Sequence, residues 1–154
     1  MKFRITSPAG PGWLAALFLL LAGALTTATA KDLKFQAYLV WAANTDKSPD
    51  PRHKPVEEEV RRKLRELPLR WSNYFEVNRV TFVVPEGKSG TASLSEKCKI
   101  EVADVNGQHV EVSLIGKGEP VLKRTQPLAK GKMLVLGGDA PDSTGWLVVL
   151  KRTD

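Results

Sequence analysis

The chain has 154 residues, 42% of them hydrophobic, and a net charge of +6 from 23 basic and 17 acidic side chains. Its one cysteine, Cys98, excludes any disulfide within the chain. The basic excess is modest and well mixed, and no basic stripe interleaved with aromatics points to nucleic acid.

Lys2 and Arg4 open the chain, Trp13 to Leu25 is an uncharged apolar run, and Ala28-Thr29-Ala30 precedes Lys31-Asp32. That is the layout of a secretory signal peptide over residues 1–30, cleaved after Ala30. The apolar run is shorter than the ~20 residues that a membrane span needs. No later segment is apolar enough for one, so no span is expected once the leader is removed. The expectation is a single exported domain over residues 31–154, periplasmic or extracellular. A chain of that size can bury roughly two-thirds of its unfolded surface and needs no covalent staples.

Lys34 to Trp41 is rich in aromatic and β-branched residues and reads as a strand. Phe35, Ala37, Leu39 and Trp41 share one face and Gln36, Tyr38 and Val40 the other; apolar groups on both place it in mid-sheet or against a helix. Residues 42–54 follow as a loop, because Pro49 and Pro51 exclude regular structure and Asn44, Asp46, Ser48 and Asp50 favour local turns. A loop of this length in a compact domain is a place to seek function. Asp46 and Asp50 lack the ligand series of a calcium loop.

Residues 55–67 form the one clear helix. Proline suits its first position, Val56, Val60, Leu64 and Leu67 make one stripe, and Pro68 ends it. Glu57, Glu58 and Glu59 precede Arg61, Arg62 and Lys63 by four residues, so i,i+4 pairs and a solvated charged face are expected.

Across Leu69 to Val84, Phe75 and Val77 alternate, then Val80, Phe82 and Val84 alternate on the opposite parity. A β-bulge or break near Asn78-Arg79 would restore one apolar face. Trp71, Tyr74 and Phe75 are read as packing the helix onto the sheet, with a carbohydrate platform on Trp71 or Tyr74 as the alternative. Pro85 to Gly90 is a turn region and Thr91 to Ser95 a short edge.

The strongest pattern runs from Lys97 to Leu114. Cys98, Ile100 and Val102 alternate with Lys99 and Glu101, and Val110, Val112 and Leu114 alternate with Glu111 and Ser113. Asn106-Gly107 between them predicts a hairpin closed by a tight type I′ turn. After the break at Gly116-Lys117-Gly118, Glu119 to Gln126 is a further strand that Pro120 confines to an edge. Lys132 to Leu136 and Trp146 to Leu150 read as strands covered on both faces, joined by a long loop over residues 137–145.

Catalysis needs a nucleophile or base held by partners. His53 and His109 lie in the proline loop and beside the Asn-Gly turn. Alternation turns Cys98 away from His109, which leaves a cysteine hydrolase a weak prospect. Three cysteine and histidine residues without paired spacing do not make a zinc site, and Gly137-Gly138 has neither P-loop nor dinucleotide spacing. No catalytic residue, metal or cofactor is expected.

The segments Trp41-x-x-Asn44-Thr45-Asp46, Trp71-x-x-Tyr74-Phe75-x-Val77-Asn78-Arg79, Cys98 on its strand, and Gly145 to Leu150 together resemble a group of small exported bacterial proteins with no assigned activity. The resemblance spans most of residues 31–154, implies one exported domain, and brings no catalytic residues with it.

The expected fold is mainly β (a β-rich α+β domain): an antiparallel sheet or small sandwich with one packed helix, following the signal peptide. The expected function is non-enzymatic, an envelope binding or accessory domain acting through contacts with an envelope or secreted protein. A glycan-binding module taking polysaccharide is the alternative. Recognition would use Trp41, Asn44, Asp46 and Arg52 of the first loop with Asp139 and Asp142 of the last.

Overall fold

The computed structural model describes residues 31–154, so the leader expected over residues 1–30 lies outside the described residues. Strand β1 (Leu33–Ala43) runs through the middle of the domain. Its two apolar faces need two covers, and it receives them. Phe35, Ala37 and Leu39 face a second sheet, whereas Tyr38, Val40 and Ala42 face the helix.

The first sheet contains β1, the two-residue β2 (Lys54–Pro55), β3 (Asn73–Val84), β8 (Met133–Asp139) and β9 (Gly145–Arg152), in the order β2-β3-β1-β9-β8. The second contains β4 (Ser89–Ser95), β5 (Cys98–Asp104), β6 (His109–Gly116) and β7 (Glu119–Pro127) in sequence order. Every strand pair is antiparallel. The two sheets enclose the main core, in which Phe35, Leu150, Ile100, Val102, Val110 and Val112 are fully buried. Among the described residues this is the expected β-rich fold with one helix, and of the two expected forms, one antiparallel sheet or a small sandwich, it is the sandwich.

The single helix among the described residues, α1 (Glu58–Arg65), buries Val60 and Leu64 against the outer face of the first sheet. It is shorter than residues 55–67. Lys54 and Pro55 pair with Glu76 and Phe75 at the sheet edge, and Val56 N donates to Tyr74 O at 3.2 Å. An edge position asks no ladder hydrogen bond of a proline, so the sheet captures the residues that could have opened the helix. At the other end Leu67 N bonds Leu64 O, a tighter turn ahead of Pro68. The expected i,i+4 charge ladder is also largely replaced. Glu57 pairs with Arg79 at 2.5 Å and Glu59 with Lys151 at 2.5 Å, both on the sheet, and Arg61 pairs with Glu58. The helix charges fasten it to the strands beneath.

The change of parity in β3 is a β-bulge. Leu39 opposes Asn78 and Val40 opposes Glu76, which leaves Val77 as the extra residue, one position before the expected break. Phe75 thereby joins Val80, Phe82 and Val84 on the sandwich side.

The β5–β6 hairpin is present, but its turn is not the two-residue type I′. Val105 N donates to His109 O at 3.0 Å around Asn106, Gly107 and Gln108. Only Gly107, at φ 77°, is left-handed there. Asn106 Oδ1 accepts from the amides of Gln108 and His109. Register gives the physical reason. The observed pairs Ile100–Leu114 and Val102–Val112 put apolar beside apolar, whereas a two-residue turn would set Val102 opposite Glu111. The last hairpin is tighter than expected, because β8 and β9 absorb both ends of residues 137–145 and leave only 140–144 as loop.

Candidate functional site

The two ends of the sandwich are built differently. At one end Arg152, only 7% exposed, donates through Nη1 to the carbonyls of Gly107 (2.7 Å) and Leu128 (3.0 Å). Its Nε and Nη2 grip both oxygens of Asp154 at 2.7 and 3.0 Å. Buried Asp104 accepts from Gly87 N and Gly107 N at 2.8 and 2.6 Å. The hydrogen bonds between Arg152 and Asp154 raise the Arg152 pKa and hold the Asp154 carboxyl below its usual range. A satisfied buried network of this kind closes the end and ties turn, strand and sheet together.

The other end is open. Strands β1, β3, β5 and β6 reach it with Trp41, Phe75, Cys98 and Gly116. Trp41 lies against Phe75, ring centroids 5.6 Å apart, as a small cluster apart from the main core. Between the two sheets at this end lies a cleft of about 480 Å³ with walls from Leu39, Val77, Cys98, Leu114, Trp146 and Val148. Lys97 and Lys117 are the two charged residues in its lining. They stand side by side, since Lys117 N donates to Lys97 O at 2.8 Å. Trp146 is 44% exposed, and a second groove continues from it past Val121 (67% exposed) to Gly137 and Gly138. Val121 is pushed out by a bulge in β7, where Leu114 opposes Leu122 and Ile115 opposes Pro120.

Both candidate loops flank this end and share one anchor, residues 70–73. Asn44 Oδ1 accepts from Ser72 N at 2.9 Å, and Asn73 Nδ2 reaches Thr45 O at 3.0 Å and Asp46 Oδ1 at 3.4 Å. From the other loop, Ser143 O accepts from Trp71 Nε1 at 2.9 Å, and Asp139 pairs with Arg70 at 2.8 Å. Asp142 bonds the Thr144 hydroxyl and amide, which lowers its pKa. Trp41, Asn44, Asp46, Asp139 and Asp142 are thus brought to one end of the domain. Arg52 is turned to its own loop, with Nη2 2.6 Å from Asp50 Oδ2. Trp71 and Tyr74 are buried beside the helix, Tyr74 Oη donating to Trp71 O, so neither ring is a platform. Among the described residues the exposed tryptophan is Trp146, which the strand pattern concealed as one more apolar residue.

One grouping was not anticipated. Ser48 Oγ lies 2.7 Å from His53 Nδ1, and Asp50 Oδ2 lies 3.7 Å from His53 Nε2. The residue types are those of a hydrolytic triad, but the contacts serve the loop. The Ser48 hydroxyl also accepts from Asp50 N, and the Asp50 carboxylate is gripped by Arg52, which drives its pKa far down. The separation of 3.7 Å is too long for the hydrogen bond that would orient the imidazole. Cys98 is half-buried and burial pushes its thiol pKa up, the reverse of an activated nucleophile. Its cross-strand partner is Gly116, whereas His109 lies at the far end of β6. Among the described residues no group of three or more His, Cys, Asp or Glu side chains is placed to hold a metal ion, and no helix is long and apolar enough to cross a membrane. A depression of about 330 Å³ between α1 and β8 is lined mainly by charges of both signs, Glu59, Arg62, Lys63 and Glu66 among them.

Protein-family models, characterised proteins and solved structures give no match to this chain.

Proposed function

We propose that the protein is an exported, non-catalytic binding module whose binding face is the open end of the sandwich. The observation that carries this reading is the asymmetry of the two ends. One is sealed by the Arg152 network, while the other gathers two anchored loops and an apolar cleft flanked by exposed Trp146 and Val121. Loops held by a rigid scaffold around exposed apolar surface are what a recognition face requires. The partner in this reading is an envelope or secreted protein meeting the rim at Asn44, Asp46, Asp139 and Asp142. The leader pattern of residues 1–30 supports export.

A photo-crosslinking residue at Val121, compared with one at Val105, tests the reading in cells. Both positions are exposed, at 67% and 53%, but Val105 lies at the sealed end. A discrete protein adduct from position 121 and none from 105 is expected. Equal adducts from both, or none from 121, would refute the assignment of the face. The second reading is a glycan platform. Exposed Trp146 favours it, in place of the buried Trp71 and Tyr74, and a polysaccharide adduct from position 121 would select it.

A further inference from the structure

The cleft at the open end has a chemistry of its own. Its volume of about 480 Å³ lies within the ~300–1,000 Å³ of small-molecule sites. Its walls are the side chains of Leu39, Val77, Leu114 and Val148 with the ring of Trp146, and both charged residues in the lining are lysines. No carboxylate pairs with Lys97 or Lys117 among the described residues. The cleft enters the sandwich between β1 and β9 on one side and β5 and β6 on the other, so a linear apolar group can lie along it.

We propose that this cleft binds a free fatty acid, with the alkyl chain between the sheets and the carboxylate at Lys97 and Lys117. The inference rests on the open end being the binding face and names a ligand for the cleft beneath the rim. Charge complementarity selects the head group, because two lysines adjacent through their backbones in the lining of an apolar slot, with no acid among the lining residues, suit an anion on an alkyl tail. A carboxylate fits better than a phosphodiester, since the lining holds neither a guanidinium fork nor a helix N-terminus, the devices that phosphate recognition uses. Trp146 reports occupancy. A chain laid against its half-exposed ring would remove water from it, whereas Trp41 and Trp71 are already buried.

Calorimetric titration of the full chain with sodium dodecanoate, below its micelle concentration, tests the proposal alongside tryptophan emission. One dodecanoate per chain and a blue shift are expected. Decanoate should bind about tenfold more weakly, the effect of two fewer buried methylenes. Dodecyltrimethylammonium, with the same tail and the opposite charge, should bind at least about tenfold more weakly. The double variant K97E/K117E should lose a similar factor for dodecanoate while keeping its urea midpoint. The head-group comparison needs no substitution and stands even if that variant misfolds. Equal binding of the two head groups would overturn the proposal, as would tighter binding of lauroyl lysophosphatidylglycerol, or no dodecanoate binding, whether or not the chain self-associates through this face. Any of these leaves the binding face itself to be judged by the Val121 adduct.

Discussion

Replacing Arg152 by methionine tests whether the sealed end is held as described. The side chain is 7% exposed and satisfies four acceptors: the carbonyls of Gly107 and Leu128 and both oxygens of Asp154. Methionine fills similar volume and supplies no donor. Asp154, whose side chain is only 10% exposed, keeps a carboxylate without its partner. Removing one member of a buried ion pair costs ~3–5 kcal/mol. At ~2–4 °C per kcal/mol for a domain of this size, Tm should fall by about 6–20 °C. Urea denaturation followed by far-UV circular dichroism should show the midpoint falling at constant slope. The pH dependence supplies a second reading of the same contact. The Arg152 hydrogen bonds lower the Asp154 pKa, so their stabilisation is complete above the unfolded carboxylate value of about 3.9 and is lost as pH falls through the folded value. Arg152→Met should therefore lose part of the acid-side slope. A loss below ~1 kcal/mol with an unchanged acid slope would refute the argument, since that is the scale of an exposed pair.

Two further outcomes follow from the geometry. Gly137→Ala places a Cβ 2.1 Å from Trp146 O on a backbone at φ +131°, so it should lower the unfolding free energy by ~1–3 kcal/mol, read as a lower urea midpoint, and alter tryptophan emission; an unchanged midpoint would contradict the close approach of β8 to β9. Burial, reinforced by the Glu57 charge, pushes the Tyr38 pKa up to about 12. The folded state favours the neutral phenol, so this stabilisation is full below pH ~10 and is lost as pH rises towards 12. Tyr38→Phe should therefore flatten the alkaline fall in stability, as read by unfolding midpoints between pH 9 and about 12; an identical fall in both proteins would count against the buried phenol.

Among the described residues, the chain's own patterns settled which segments are strands and which faces are apolar. Period-two alternation across Cys98–Asp104 and His109–Gly116, mixed apolar faces in Leu33–Ala43, and a helical stripe through Val60 and Leu64 are local properties, set by where successive side chains must point. Even the β3 bulge was legible, because Phe75 and Val80 could not otherwise share a face. Tertiary structure decided what depends on partners distant in sequence. The sheet edge, through Phe75 and Glu76, took Lys54 and Pro55 from the helix. Cross-strand pairing of Val102 with Val112 overruled the tight Asn-Gly turn. Residues 70–73 drew Asn44 and Ser143 to one end, and Arg152 sealed the other with carbonyls from two distant turns. The site was illegible for the same reason. Trp146 and Cys98 read as core residues by alternation, and only the way two sheets end shows that one wall of that core opens to solvent. Alternation records which face a side chain takes, and the stacking of sheets determines whether anything covers it.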